Sequence, residues 1–294
     1  MLLPGADDVH EDDAAVRLAN AVVARDPGAG HLSLRGPAQS RVDLVATAAG
    51  VVDVRIMALE RLNRLDAVEV FTIGSGRIVA PGDLVASAKI APHLVPEAVL
   101  ARAEALAGRT PIVALHPFRP TRIAVVVKES VSAADRRRFD DAMAARVAGL
   151  GATLTGIAQV PDDTTAVERA LAEATRGGGA AQIVLTAGGA STDPGDAFFA
   201  ALDRLGGRVV RHGVPAHPGS MLWLARLGRA AIVGLPSCGA YSRATAADLL
   251  LPLLVAGYPA TSHTVARLAH GGILDRTQRY RFPAYARELD SPDG

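Results

Sequence analysis

Between residues 121 and 257, short apolar runs alternate with segments of helical period, and this alternation restricts that part of the chain to an α/β fold. Ile123-Ala-Val-Val-Val127 is an unbroken apolar run, the pattern of a strand buried on both faces. After it, Ser132 is placed to cap a helix over 133–148, with Phe139, Met143, Val147 and Leu150 at helical spacing and Gly151 behind them. Thr153–Val160 is the next strand. Thr164 or Thr165 then opens a helix that runs to about 175 and stops at Gly177-Gly-Gly179. Strands are expected at 182–185, 209–213 and 230–234, and helices at 196–205 and about 242–256. Strand–helix–strand repeats of this kind build a mostly parallel sheet with right-handed crossovers and helices on both faces, a three-layer α/β domain.

The first part reads differently. Residues 14–25 and 96–107 suggest helices, as do 54–64, and between them lie short β-type pieces at Val42–Ala46, Val68–Ile73, Arg77–Val79 and Leu84–Ile90. Gly74-Ser-Gly76 has the composition of a hairpin turn. A small strand-rich α+β domain is expected here. The stretch from Gly108 to Pro120 holds Pro111, Pro117 and Pro120 and marks the boundary. The division is therefore 1–117 for an N-terminal domain, 118–258 for the α/β domain, and 259–294 for a tail expected to dock on the domain or a neighbour.

Composition narrows the function classes. Lys plus Arg number 31 and Asp plus Glu 30, a net charge of +1, which speaks against a general nucleic-acid binder. One cysteine, Cys238, supplies neither a disulfide framework nor a cysteine zinc site. The N-terminus lacks the basic and apolar regions of a signal peptide, and the apolar run Leu249–Gly257 is too short to span a bilayer. A cytoplasmic protein without membrane or nucleic-acid partners is the expectation.

In a parallel sheet the loops after the strands open on one edge, where α/β proteins bind ligands. The loop Thr186-Ala-Gly-Gly-Ala-Ser-Thr-Asp-Pro-Gly-Asp196 is the richest of them. Gly188 and Gly189 let backbone approach a ligand, Ser191 and Thr192 offer hydroxyls, and Asp196 is placed to accept a hydrogen bond or hold a cation. Pro161-Asp162-Asp163 follows the strand ending at 160, Gly234-Leu-Pro236-Ser237 follows the strand at 230, and Pro218-Gly219-Ser220 follows that at 209. Asp162 and Asp196 could face each other across neighbouring strand ends. Two carboxylates beside glycine-rich backbone suit a magnesium-bridged phosphate, the N–H groups taking the anion and the acids the metal. Each acid is equally placed to cap the helix that follows it. Lys128, just past the strand 123–127, could reach an anion at the same edge. Other residues read as structural: Cys238 as a buried thiol, Trp223 and Met221 as core, Arg136–Arg138 as a solvated helix face, and His212 and His217 as lacking metal-type spacing.

Taken in this order, the segments Ile123–Val127, Val160-Pro-Asp-Asp163, Ile183–Leu185, Thr186-x-Gly-Gly-x-Ser191, Asp196, Pro218-Gly219 and Gly234-Leu-Pro236 resemble the molybdopterin-binding domain shared by molybdenum-cofactor biosynthesis proteins, among them molybdopterin adenylyltransferase and molybdotransferase. Leu62-Asn63 through Lys89-Ile90 resembles the leader region of a bacterial group of such proteins. The resemblance implies a pterin-phosphate site built from Thr186, Gly188, Gly189, Ser191, Thr192, Pro218, Gly219, Ser220, Gly234, Pro236 and Ser237, with Asp162 and Asp196 as the catalytic or metal-holding acids. It implies molybdopterin or its adenylylated or cytidylylated form as ligand, with Mg2+ where a metal serves. It further implies cofactor-assembly proteins as partners and a homo-oligomer. The sequence departs from the family at Asp193, where a glycine is usual, at Ser237-Cys238-Gly239, and at Ala187, which displaces Thr186 by one position. With these departures it implies binding ahead of catalysis. The alternatives are an active adenylyltransferase or molybdotransferase, or a fold-related nucleotide hydrolase.

Overall fold

The computed structural model describes residues 5, 7–24, 31–128, 133–189, 193–236 and 244–289. The chain divides into two compact units, Met1–Pro117 and Phe118–Gly294.

The first unit runs β1 (Asp8–His10), α1 (Glu11–Val22), β2 (Leu32–Ala38), β3 (Arg41–Ala46), β4 (Gly50–Val54), α2 (Ile56–Leu62), β5 (Val68–Thr72), β6 (Ile78–Val79), β7 (Leu84–Ile90), β8 (Leu94–Pro96), α3 (Glu97–Ala107) and β9 (Val113–Pro117). Helix α1 starts where Glu11, Asp12 and Asp13 suit the positive end of the helix dipole. Its buried stripe, Ala14, Ala15, Leu18, Ala19 and Val22, joins a core with Val42, Leu44, Val85 and Ala88 from the sheet β2-β3-β7-β5. Two expectations fail here. Gly74–Gly76 is not a hairpin turn, because β5 pairs with β7 whereas β6 pairs with β4 in a separate sheet. Ser75 Oγ accepts from the Val54 amide at 3.0 Å and the Gly76 amide donates to Val52 at 2.7 Å, so β4 captures this segment. Residues 50–54 are likewise strand, and the helix starts only at Ile56. Gly50 fits against β9 because a Cβ there would sit 2.3 Å from the His116 carbonyl oxygen.

The second unit continues with β10 (Arg122–Val127), α4 (Ala133–Ala148), β11 (Thr153–Gln159), α5 (Thr164–Thr175), β12 (Ile183–Ala187), α6 (Ala197–Arg204), β13 (Arg208–His212), β14 (Trp223–Leu227) and β15 (Ala230–Gly234), followed by a helix at Ala247–Val255. The strands form one sheet in the order β11-β10-β12-β15-β14-β13. β10, β11, β12 and β15 pair in parallel, while β14 is antiparallel to both its neighbours. The alternation in sequence therefore gives the three-layer, mostly parallel sheet it implies. Ala124 and Val126 pack with Val167, Leu171, Phe198 and Leu202 of α5 and α6, and Ile123, Val125 and Val127 are buried on the other face. Strand β14 is absent from the sequence reading because Trp-Leu-Ala-Arg-Leu is short and lacks strict alternation. Trp223 is buried as expected, but Met221 is 47% exposed in the loop before β14 and does not belong to the core. No helix among the described residues is long and apolar enough to cross a membrane.

The last part of the chain carries short helices at Ser262–Ala266 and Ala284–Leu289 and a 3-10 turn at Arg276–Arg281. It packs within the second unit, where the Tyr285 ring lies so close over Gly149 that a Cβ there would approach it to 2.4 Å. Phe282 and Ala286 are buried beside it.

Candidate functional site

β10 connects outward to β11 on one side, and the chain then crosses to β12 on the other. The C-terminal ends of β10 and β12 thus flank a topological switch point, the place where open α/β sheets form a ligand crevice. Lys128 stands one residue past β10, and the Gly188-Gly189 turn stands just past β12.

Lys128 organises this edge. Its Nζ lies 2.7 Å from Asp162 Oδ1 and 2.9 Å from Asp196 Oδ2. The Lys128 side chain is 4% exposed and that of Asp196 3%, whereas Asp162 is 61% exposed. The ammonium also lies 5.6 Å from the centre of the buried Phe198 ring, within cation–π range. Burial pulls the Lys128 pKa down, but hydrogen bonds and charge from Asp162 and Asp196 outweigh it, and the net direction is up. The lysine is therefore cationic, and it stands between the two acids where a metal was the expectation. Among the described residues, no three His, Cys, Asp or Glu side chains gather into a metal-holding group.

The two aspartates reach the lysine by different means. Asp163 takes the capping role for α5, its Oδ1 accepting from the Thr165 and Ala166 amides at 2.9 Å each. That leaves Asp162 to point its carboxylate at Lys128. Asp196 serves twice, with Oδ1 accepting from the Phe198 amide at 2.8 Å as the cap of α6 and Oδ2 facing Lys128. Gly189 keeps this corner open, since a Cβ there would stand 3.0 Å from Phe198 and 3.6 Å from Asp196 Oδ2. Gly188 turns the chain at φ 84°, a conformation that favours glycine.

The remaining residues divide into groups. Thr186 is buried in β12 and its carbonyl accepts from the Leu235 amide at 2.8 Å, which sets Gly234 and Pro236 beside it on the next strand. Gly234 has a packing reason of its own: a Cβ there would fall 1.9 Å from Trp223 Nε1. Pro218, Gly219 and Ser220 lie against a different segment, with Pro218 accepting from the Ala246 amide at 2.9 Å and Gly219 abutting Thr245. Ser191, Thr192, Ser237, Cys238 and Gly239, and the capping residue Ser132, lie outside the described residues. Asp193 is exposed and turned inward on its own loop, its Oδ1 accepting from the Gly195 amide at 2.8 Å and its carbonyl from the Asp196 amide. That carboxylate helps build the turn that presents Asp196. Of the arginines read as a solvated face, Arg136 pairs with Asp140 and also hydrogen-bonds Gln159. The imidazole of His212 packs edge-on against Phe199 at 5.0 Å.

The sequence did carry a signal for Lys128. It and Lys89 are the lysines of a chain whose other basic residues are arginine. A lysine ammonium is a compact point charge with three donors, and here it serves both carboxylates at once.

Fold and edge define a class, an open and mostly parallel α/β domain with a Lys128–Asp162–Asp196 cluster at its topological switch point. Residues 124–256 match the family model described as the probable molybdopterin binding domain. No curated protein matches the chain in sequence. Among solved structures, a molybdopterin biosynthesis MoaB enzyme from Thermus thermophilus is 21% identical, covering 48% of this chain and 99% of its own, with a TM-score of 0.34. A molybdopterin biosynthesis protein from Mycobacterium abscessus is 16% identical over 52% of this chain and 99% of its own, at 0.32. A molybdopterin biosynthesis MoeA protein from Pyrococcus horikoshii is 13% identical over 88% of this chain and 80% of its own, at 0.31. Likenesses this low carry no argument about what this chain does.

Proposed function

We propose that the second unit binds molybdopterin, or its nucleotide form, at the C-terminal edge of the sheet and serves in molybdenum-cofactor biosynthesis. One observation carries this reading: within the segment matched to the molybdopterin-binding family, Lys128 is held between Asp162 and Asp196 at the switch point. With all three ionised, the cluster has a net charge of −1 and does not by itself attract a phosphate. The exposed face of Asp162 suits a hydrogen-bond donor, such as the amino group of a pterin. The Gly188-Gly189 turn, in which Gly188 takes a positive φ and neither residue carries a side chain, is the backbone proposed to approach the phosphate. Asp196 acts as a positioning residue, fixing Lys128 and the start of α6 together. Lys128 supplies the positive charge between the acids, and Mg2+ would enter only as a companion of the ligand's phosphate.

Calorimetric titration with molybdopterin tests the reading. Binding by the native chain, weakened about tenfold by Asp162→Asn through loss of a charge-assisted bond, is expected. Absence of heat with both molybdopterin and its nucleotide form would sink it. Incubation with molybdopterin, ATP and magnesium separates binding from chemistry, because pyrophosphate release marks an adenylyltransferase and binding without product marks a carrier.

A further inference from the structure

The opposite edge of the same sheet carries a second cavity. It has a volume of about 400 Å3 and lies at the N-terminal ends of β10, β12 and β15, beside the end of the helix Ala247–Val255. Its floor is apolar, from Ile183, Ala231 and Leu254, and its rim carries Arg119, Arg226 and Arg229. No aspartate or glutamate lines it.

These guanidiniums differ from others in the unit. Arg136, Arg146 and Arg204 pair with Asp140, Asp248 and Glu168. Among the described residues, Arg119, Arg226 and Arg229 have no carboxylate partner. The register of β13 and β14 also sets Arg208 directly opposite Arg226. Like charges facing each other across a strand pair are destabilising, so Arg208 adds to the positive field beside the cavity without lining it. Arg119 is seated in place. Its amide donates to the Val255 carbonyl at 3.0 Å, and its guanidinium lies over Gly257, where a Cβ would approach Cζ to 2.2 Å. The negative end of the neighbouring helix does not offset this charge, because the Pro252, Leu253, Leu254 and Val255 carbonyls already accept from the Ala256, Tyr258, Gly257 and Arg119 amides.

We propose that this basic cavity is a second ligand site, separate from the Lys128 edge, and that it takes a small organic phosphate of the nucleoside diphosphate class. The phosphates meet the guanidiniums, whose forked donors match phosphate oxygens, and the less polar body lies on the Ile183, Ala231 and Leu254 floor. The volume falls in the range of small-molecule pockets.

The test is calorimetry on the full chain with ADP, pyrophosphate and adenosine as probes. ADP is expected to bind more tightly than pyrophosphate, and adenosine is expected to give no heat. The double variant Arg226→Gln/Arg229→Gln should weaken ADP at least tenfold, while Asp196→Asn leaves it unchanged. The substituted arginines are exposed, and Arg226→Lys/Arg229→Lys, which keeps the charge, should recover part of the affinity. Three outcomes overturn the proposal: no heat with either phosphate up to about 1 mM, ADP binding that survives the arginine variants and falls in Asp196→Asn, or an oligonucleotide that binds more tightly than ADP.

Discussion

Two buried ion pairs in the second unit have the same length and opposite meanings. Lys128–Asp196 and Arg146–Asp248 both close at 2.9 Å. Arg146 and Asp248 are wholly buried, and Asp248 also accepts from the Thr245 amide, so this pair ties α4 to the helix Ala247–Val255. Tyr285 sits in the same buried cluster, and burial first, then the charge of Asp248, pushes its pKa well above the ordinary tyrosine value. Lys128–Asp196 is nearly as buried but continues to Asp162, most of whose side chain faces solvent. Desolvation and a short ion pair therefore do not identify a functional site. The proposed site differs in that its buried charge reaches water through Asp162, the route a ligand would need.

Substitutions can break this contrast in a graded series. Asp248→Ala strands Arg146 in the interior and should cost about 4–5 kcal/mol of unfolding free energy, read from urea midpoints. Lys128→Met leaves Asp196 buried without its cation, yet the Phe198 amide still bonds it, so a smaller loss of about 3 kcal/mol is expected, together with loss of molybdopterin binding. A cost for Lys128→Met equal to that of Asp248→Ala would erase the distinction drawn between the two pairs. Asp162→Asn should change stability by less than about 1 kcal/mol, as for an exposed partner. Its effect should fall on ligand affinity.

Alkaline pH offers a finer comparison. Lys128 and Tyr285 both have pKa values raised above their ordinary ones. Each favours its protonated form in the folded state, so its contribution is fully present below the unfolded pKa, about 10 for either group, and is lost as pH rises through the folded value. Melting temperature should therefore fall above about pH 10. Tyr285→Phe should remove the tyrosine share of that slope and Lys128→Met the lysine share. A slope unchanged in both variants would assign the alkaline loss to other groups. The smallest effect is expected at Arg136→Ala, which removes an i,i+4 pair worth about 0.5 kcal/mol.

Much of the second unit was legible from pattern. Strands buried on both faces read as unbroken apolar runs, and the helices between them kept a 3.6-residue period, so β10 to β12 and their helices follow from Ile123–Val127, Phe139–Leu150 and Ile183–Leu185. β14 and β4 were not legible, because short strands without strict alternation have no local signature apart from the partners they pair with. Gly74-Ser-Gly76 misled for a related reason. A turn composition says that the chain turns, not which strand it turns toward.

The sequence by itself determined the α/β class of the second unit, the edge on which its polar loops open, and the presence there of Asp162, Asp196 and the glycines between them. Strand hydrophobicity and glycine conformation are local properties, and the sequence states them directly. Only the tertiary structure decided that Asp163 rather than Asp162 caps α5, that Lys128 stands between the acids, that Asp193 bonds its own loop, and that Arg119 before β10 meets Arg226 and Arg229 of the β14–β15 hairpin at the far edge. Each depends on strand order and register, which bring distant residues within hydrogen-bonding reach and which no local pattern encodes.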